Sequence, residues 1–346
     1  MSDPIRIAVL MGGASSEHDV SLASAAAVID ALDPGRYAVT AVRISREGVW
    51  SVDERPVTIA RSGAGTPALV FLDGGAPSRG LDVVFPVLHG PNGEDGTVQG
   101  LLECAGVAYV GAGVAASAVA MDKALFKDVL RANGIPTPDW VVVSDSRWRD
   151  DPAGVRARVA AAVAYPAFVK PARLGSSVGI SRVAGPEDLD AAIELALRHD
   201  PKVLVERGIS GREIEVGVLG EADPVASPVG EIGYDGDWYD YETKYQPGRM
   251  RLEVPAAIPA EIADRARGLA LRAFEVAECR GLARVDFFLA DDGEVLLSEL
   301  NTMPGFTPTS VYAALMGAGG IEYRDLIDRL VALGIARHER ARAYLG

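Results

Sequence analysis

Several things are scarce in this 346-residue chain. It has two cysteines, Cys104 and Cys279, far apart in sequence. That excludes a disulfide framework and a cysteine-rich zinc site. Positive charge is short: 34 Lys and Arg stand against 48 Asp and Glu, a net charge of −14. An acidic surface of this kind argues against nucleic acid or an anionic membrane as partner, while leaving room for a local basic pocket. No Gly-Lys-Ser/Thr occurs, so there is no Walker A loop. Long apolar runs are missing too. The longest uncharged stretch, Cys104 to Met121, is mostly Ala, Gly, Ser and Val and is broken by Gly106, Gly111 and Gly113. It reads as buried strand, loop and helix start, not a membrane span. The apolar run Ile5 to Met11 is short and leads straight into Glu17, His18 and Asp19. We therefore expect no secretory leader and a cytoplasmic protein. Lysine is the last scarcity: Lys123, Lys127, Lys170, Lys202 and Lys244 are the whole set. A chain that otherwise uses arginine keeps lysine where a compact ammonium is needed.

What is present is ordinary for a globular protein: 49% apolar and 24% charged residues, over a length that predicts two or three domains. IRIAVLMGG, ASSEHD and an Ala-rich stretch from Val20 to Leu32 read as strand, Gly-rich turn and helix, ended by Asp33-Pro34-Gly35. YAVTAVRI, LDVVFPVLHG and GVAYVGAG read as further strands, followed by a helix around Met121 to Asn133. Alternating strands and helices predict an open, Rossmann-like α/β domain over residues 1–121. IPTP, at 135–138, marks a change of pattern. Strands WVVVS, AFVKP, VGISRV and KVLVE with two helical stretches predict a central α+β domain over 122–210. EIEVGVLG, a loop-rich segment from Tyr234 to Met250, a helix over Pro259 to Cys279, two more strands and closing helices predict a third, α+β domain over 211–346.

Those two strands carry chemistry. ARVDFFLA and VLLSELN flank Asp292-Gly293, a two-residue hairpin signal. If those two residues form the loop, Asp291 pairs with Glu294, Asp286 lies opposite Glu299 and Arg284 lies opposite Asn301. Alternation puts these four side chains on one face, with Val285, Phe287, Leu296 and Leu300 on the other. Cross-strand Cβ atoms lie about 4.5–5.5 Å apart. Two carboxylates that close repel unless a proton or a cation lies between them. Asp, Glu and Asn oxygens suit a hard cation, most naturally Mg²⁺ carrying nucleotide phosphates. A solvated hairpin face is the bland alternative.

Two glycine-rich segments follow strands. KPARLGSSVG, at 170–179, is a Gly/Ser flap opened by a lysine, of the kind that folds over a nucleotide. GAGVAA, at 111–116, matches a loose dinucleotide fingerprint. It begins past residue 100 and has no acidic residue at the end of a next strand, so a tight strand-to-helix turn is the better reading. Glu17 precedes the first helix, either as a cap or as a carboxylate at the ligand-binding edge of the sheet. His89, or equally His18, is a candidate ligand contact there. His199 and His338 read as surface residues.

In order along residues 5 to 315, GGASSEHDVSLASA, LHGPNGEDGTVQG, MDK, VKPARLGSSVGIS, VERGISGREIEVGVL, YDYETKY, RVDFF and ELNTMPGFTPTS resemble the D-alanine–D-alanine ligase family of the ATP-grasp superfamily. The resemblance implies an ATP-grasp fold, with ATP gripped between the central and C-terminal domains. It implies ligation of two D-alanines to the dipeptide through a D-alanyl phosphate, for peptidoglycan precursor synthesis. It assigns ATP contacts to Lys123, Lys170, Ser176, Glu206, Ile209, Glu213, Lys244 and Asn301. Asp286, Glu299 and Asn301 become ligands of two Mg²⁺ ions, replaceable by Mn²⁺. Arg284 and the Gly305 N–H become stabilisers of the tetrahedral intermediate. Glu17 and His89 fall to the first D-alanine, and Ser310 and Val311 to the second. Glu17, Ser176 and Tyr245 form a hydrogen-bonded triad, with Tyr245 on a lid. A homodimer is also implied. Rival readings are an ester-forming D-alanine–D-lactate ligase, a specialised D-amino acid ligase of an antibiotic pathway, a decayed nucleotide sensor, and a dehydrogenase resting on GAGVAA alone.

Overall fold

A strand that is apolar without alternation must be covered on both faces, and Ile7, Ala8, Val9 and Leu10 have no exposed surface. They form the centre of β1 (Ile5–Gly12) in a computed structural model that describes residues 3–62, 65–74, 79–175, 178–234 and 250–344. β1 runs parallel to β2 (Tyr37–Ile44) and to a later strand, Val83–Pro86. The sheet also takes in four strands that the sequence patterns did not predict: β3 (Trp50–Val52), β4 (Arg55–Arg61), β5 (Pro67–Phe71) and β6 (Arg79–Gly80). With β7 (Val83–Pro86) and β8 (Ala108–Tyr109) the order is β6-β5-β4-β3-β2-β1-β7-β8. The half from β2 to β6 is antiparallel. Its strands are short and interleaved with arginine, threonine and serine, which blurs their alternation. Helices α1 (His18–Ala31), α2 (Thr97–Ala105), α3 (Val114–Met121) and α4 (Lys123–Ala132) follow strand ends or one another.

The second sheet, ordered β11-β10-β12-β9, is antiparallel throughout. Its strands are β9 (Trp140–Ser144), β10 (Ala167–Pro171), β11 (Ser181–Val183) and β12 (Lys202–Arg207). α5 (Asp145–Asp150), α6 (Pro152–Ala162) and α7 (Leu189–Leu197) accompany it. The third sheet is ordered β16-β15-β13-β17-β18, with β14 (Val225–Ala226) on β13. It consists of β13 (Gly211–Gly220), β15 (Gly230–Tyr234), β16 (Met250–Glu253), β17 (Gly281–Ala290) and β18 (Val295–Asn301). α8 (Ala260–Val276), α9 (Val311–Ala318) and α10 (Tyr323–Arg342) complete the described chain.

Two cores matter for function. One lies against the third sheet, where Val216, Val285, Phe287, Leu297 and Leu300 pack on Ala270 and Phe274 of α8. The other joins the first sheet to the end of the chain: Ile7, Val9 and Phe85 share a cluster with Phe306, Tyr312 and Leu330. Gly111 of the GAGVAA segment approaches Gly281, where a Cβ would lie 3.2 Å from the Gly111 backbone. Arg337 bonds the carbonyls of Gly111 and Tyr109. The motif is a packing turn between the first sheet and the third.

The hairpin differs from its prediction in a way that preserves the outcome. Its closing pair is Ala290 with Glu294, so the loop is Asp291-Asp292-Gly293, with Gly293 at φ +86°. The two-residue loop and the Asp291–Glu294 pair are therefore wrong by one residue. A bulge at Ser298 removes the offset. Phe287 pairs with Leu297, but Asp286 pairs with Glu299 and Arg284 with Asn301. Two residues, Ser298 and Glu299, thus oppose the single Asp286. The offset also changes one core residue: Leu297 packs with Phe287, whereas Leu296 pairs with Phe288 outside that cluster. Leu297→Ala is expected to lower stability to urea by about 2–5 kcal/mol. Ser298→Ala, at the half-buried bulge residue that lies on the carboxylate side and outside the apolar cluster, should change it by no more than ~0.5 kcal/mol. Equal losses would reject this assignment of faces.

Candidate active site

Register sets the centre of the site. Glu215 on β13 pairs with Asp286 on β17, which pairs with Glu299 on β18, so three carboxylates lie in one row across three strands. Arg284 sits in the next row, opposite Asn301. Its guanidinium is bidentate to Asp286, with Nε and Nη2 each 2.7 Å from a carboxylate oxygen. Nε is also 3.0 Å from Glu215 Oε2. Burial works against the Arg284 charge, but Asp286 and Glu215 outweigh it and hold its pKa well above the ordinary value. Asn301 Nδ2 donates to Asp286 Oδ2 at 2.9 Å. A cavity of about 50 Å³ is lined by Glu213, Glu215, Asp286, Phe288 and Glu299, among others. It brings Glu213 beside the carboxylate row.

The second sheet supplies ammonium groups. Lys170 on β10 and Glu206 on β12 are diagonal neighbours, and Lys170 Nζ lies 2.5 Å from Glu206 Oε1. Lys127, wholly buried on α4, approaches Glu206 Oε2 at 2.7 Å and donates to Thr137 Oγ1 at 2.6 Å. Burial would raise the Glu206 pKa, but the two lysines reverse the sign and hold it below the usual carboxylate range. Lys123 opens α4, capped by Asp122, whose carboxylate accepts from Leu125 N–H. Its Nζ donates to the Leu174 carbonyl at 2.7 Å and lies 3.7 Å from Glu299 Oε2. The ammonium thus touches both the Gly/Ser loop and the acidic row.

The first sheet contributes the third side. Glu17 occupies the N-cap position of α1, yet its side chain makes no capping hydrogen bond. It lies instead at a crossing of loops. A Cβ on Gly90 would be 2.8 Å from Glu17 Oε2, and one on Gly175 would be 3.1 Å away. Glycine at both positions lets the carboxylate meet the His89 loop and the Gly/Ser loop at once. His89 is 4% exposed, and burial lowers its pKa. Its Nδ1 bonds the Met303 carbonyl at 2.8 Å, and its Nε2 faces Ser24 Oγ at 3.3 Å. His18 is engaged locally, with Nδ1 2.6 Å from the Gly13 carbonyl. Gly305 lies in the loop after β18. Ser310, at the N-cap of α9, accepts from Thr307 N–H at 3.0 Å, and Val311 is buried behind it.

Of the residues singled out in the sequence, Lys170 and Glu206 form one group, and Lys123, Glu299, Asp286, Arg284 and Asn301 form a second, joined by direct contacts or strand pairing. Glu213 shares their cavity, and Glu17 touches the loop that Lys123 holds. Ile209 lies just before β13. Ser176, Lys244 and Tyr245 lie outside the described residues. Sequence reasoning missed Glu215, Lys127 and Glu94. Glu215 had a signal, standing two residues after Glu213 on the same strand face. Lys127 had two: its spacing of four from Lys123 on a helix, and the scarcity of lysine. Glu94 had none. It reaches across loops to accept from Gly90 N–H at 2.7 Å and from Met303 N–H at 3.0 Å.

Burial and the neighbouring Glu17 push the Glu94 pKa up to about 8, from an ordinary 4.5. The folded protein therefore binds one more proton than the unfolded chain between those values, and stability falls as pH rises through that window. Glu94→Gln removes the titration. The loss of Tm between pH 5 and pH 8 should be smaller in the variant than in the parent, and an equal loss would refute the assignment.

Two family models match the chain: "D-ala D-ala ligase N-terminus" over residues 6–112 and "D-ala D-ala ligase C-terminus" over residues 129–332. The chain is 50% identical to a D-alanine–D-alanine ligase of Deinococcus radiodurans, over 95% of this chain and 98% of that one. It is 43% identical to that of Geobacillus kaustophilus, over 96% and 95%. Among solved structures, the D-alanine–D-alanine ligase of Coxiella burnetii superposes with a TM-score of 0.88 at 36% identity, covering 99% of this chain and 97% of that one. A D-Ala:D-Ser ligase of Enterococcus faecalis gives 0.86 at 34% identity, covering 96% and 99%. The mixed α/β architecture is that of the ATP-grasp class, and with near-complete coverage by both models the chain belongs to the D-alanine–D-alanine ligase family.

Proposed function

We propose that this protein joins two D-alanines into D-alanyl-D-alanine, with ATP converted to ADP and phosphate, as a cytoplasmic step of peptidoglycan precursor synthesis. The observation that carries the reading is the meeting at Lys123. One ammonium holds the Gly/Ser loop through Leu174 and faces Glu299 in the acidic row. A nucleotide triphosphate laid between the second and third sheets would find cations on one side and acids on the other.

In this reading Lys123, Lys170 and Lys244 take the phosphates, with Ser176 beside them in the Gly/Ser loop. Glu206, Ile209 and Glu213 take adenine and ribose. Asp286, Glu299 and Asn301 would hold Mg²⁺, or Mn²⁺ in its place, as two ions. The donor set fits: it is all oxygen and hard, as these ions require. Among the described residues no group of three or more His, Cys, Asp and Glu side chains forms a metal cage by itself. That suits an ion that arrives with phosphate oxygens. When bound, the metal neutralises charge on the phosphates. Arg284 would leave its place on Asp286 to stabilise negative charge on the reacting carboxyl, together with the Gly305 N–H.

The first D-alanine presents its ammonium to Glu17, beside His89. Its carboxylate oxygen attacks the γ-phosphorus and ADP leaves. Ser310 and Val311 seat the second D-alanine. Its amine nitrogen forms the new C–N bond, and the C–O bond to phosphate breaks. Phosphate leaves with the electron pair, and the amine gives up a proton. Tyr245 and Ser176 close the site with Glu17, keeping water from the acyl phosphate. Residues 1–121, 122–210 and 211–346 are the proposed functional units, and a homodimer the proposed assembly.

The first test is phosphate release from Mg-ATP with D-alanine, L-alanine, D-serine, or D-alanine plus D-lactate, with products identified by mass. Release on D-alanine alone, with the dipeptide as product, is expected; release only with D-lactate or D-serine would replace this substrate assignment. Glu299→Gln should lower turnover by at least ~10²-fold and raise the Mg²⁺ concentration needed for half-maximal rate. Unchanged Mg²⁺ dependence would reject its role. Tyr245→Phe is expected to shift the acceptor from amine toward hydroxy acid, read as D-alanyl-D-lactate formation across pH.

A further inference from the structure

The loop from Met303 to Phe306, which carries Gly305 between β18 and α9, is held largely by the first sheet. Glu94 accepts from Met303 N–H at 3.0 Å. His89 Nδ1 meets the Met303 carbonyl at 2.8 Å. Ser24, on α1 and with no exposed surface, accepts from Phe306 N–H at 3.1 Å. Tyr323 OH donates to the Phe306 carbonyl at 2.6 Å. The Phe306 ring packs against Phe85, Tyr312 and Tyr323, with centroids 5.7–5.9 Å apart. Met303 and Phe306 are therefore each fixed through both backbone polar atoms, and Gly305 lies between them.

The hydrogen-bond directions follow from the inventory of donors. A carbonyl only accepts, so His89 Nδ1 carries a proton; in the neutral ring that burial favours, Nε2 carries the lone pair. Ser24 Oγ, 3.3 Å away, is then the donor to Nε2. One buried hydroxyl thus accepts from the loop backbone and donates to the histidine that holds the same loop three residues earlier. Neither bond requires a ligand, and Ser24 is not among the residues assigned to substrate, nucleotide or metal above.

We infer that Ser24 is a positioning residue for the second step of the reaction: it aims the Gly305 N–H and the start of the acceptor site through Phe306 and His89, without touching substrate. The inference rests on the roles proposed above for Gly305, Ser310 and Val311. Its consequence is specific. The described nucleotide contacts proposed above lie on α4 and on the second and third sheets, so loosening this loop spares ATP binding, and formation of the acyl phosphate, which His89 also serves, falls less than its capture. The loosened loop weakens capture of that intermediate by the amine, and water takes the amine's place: the C–O bond to phosphate breaks, and D-alanine and phosphate are released.

Ser24→Ala is the test, with phosphate and dipeptide counted in the same reaction. Displacement of a reacting group by about 1 Å costs on the order of 10²-fold in rate, so a partial displacement should lower dipeptide kcat by about tenfold or more. KM for ATP should stay within about twofold, and phosphate released per dipeptide should rise from one to two or above. Ser24→Thr, which restores a hydroxyl, should bring the ratio back toward one. Where the alanine variant fails to fold, Ser24→Cys, close in volume and a weaker donor, is read by the same ratio. A folded variant with a lowered Tm but unchanged kcat and a ratio of one overturns the inference, leaving Ser24 a purely structural role. A parent enzyme that makes no dipeptide overturns the proposed function itself, and this inference with it.

Discussion

Three carboxylates in one row cannot share a partly buried sheet face without cations among them. Glu215, Asp286 and Glu299 are direct neighbours across β13, β17 and β18. Mutual repulsion and lost hydration both work against such a row. Arg284 answers two of the three charges from inside the sheet, and Lys123 approaches the third from the other side of the cleft. The arrangement resolves electrostatics at the cost of strong mutual dependence. Withdrawing either cation would leave a carboxylate of the row facing its neighbours without an opposite charge.

The second sheet obeys the same rule with the signs exchanged. There a single carboxylate, Glu206, is buried between Lys127 and Lys170. Lys127 is the deeper of the two and has Thr137 as a further partner. Together the two lysines keep Glu206 ionised against its burial. Beside these charged surfaces the first sheet contributes loops and helix α1 rather than strands: Glu17 against Gly90 and Gly175, and His89, Glu94 and Ser24 on the Met303–Phe306 backbone. The loop that follows the third sheet is thereby held by side chains from the first third of the chain.

Legibility in the sequence varied with the kind of information needed. The facing of Asp286 to Glu299 and of Arg284 to Asn301 was readable, because alternation and a turn signal both act locally. It survived an incorrect loop length only because the bulge at Ser298 restored the lost residue. Nothing in VLLSELN announces that bulge. The antiparallel strands between Trp50 and Gly80 escaped because they are short and mixed in polarity, and gain their order from pairing with one another and, through β3, with β2. Glu215 was legible in principle from its spacing to Glu213. Glu94 was not, since a loop carboxylate with one backbone donor in its own loop and one 209 residues away leaves no periodic trace.

The sequence by itself determined the order of elements apart from β3 to β6, the alternation that sorts polar from apolar faces, and the family, because each depends on residues near one another in the chain or on motifs kept in order. Only the tertiary structure decided which charges meet. Lys127 finds Glu206 across 79 residues, and the Met303 N–H finds Glu94 across 209. The first sheet clamps the loop that carries Gly305 because Phe306 shares a core with Ile7, Val9 and Phe85. The physical reason is range. Hydrophobic patterning and turn geometry are written into neighbouring residues, whereas an ion pair or a buried hydrogen bond forms only where packing of distant elements has already excluded water.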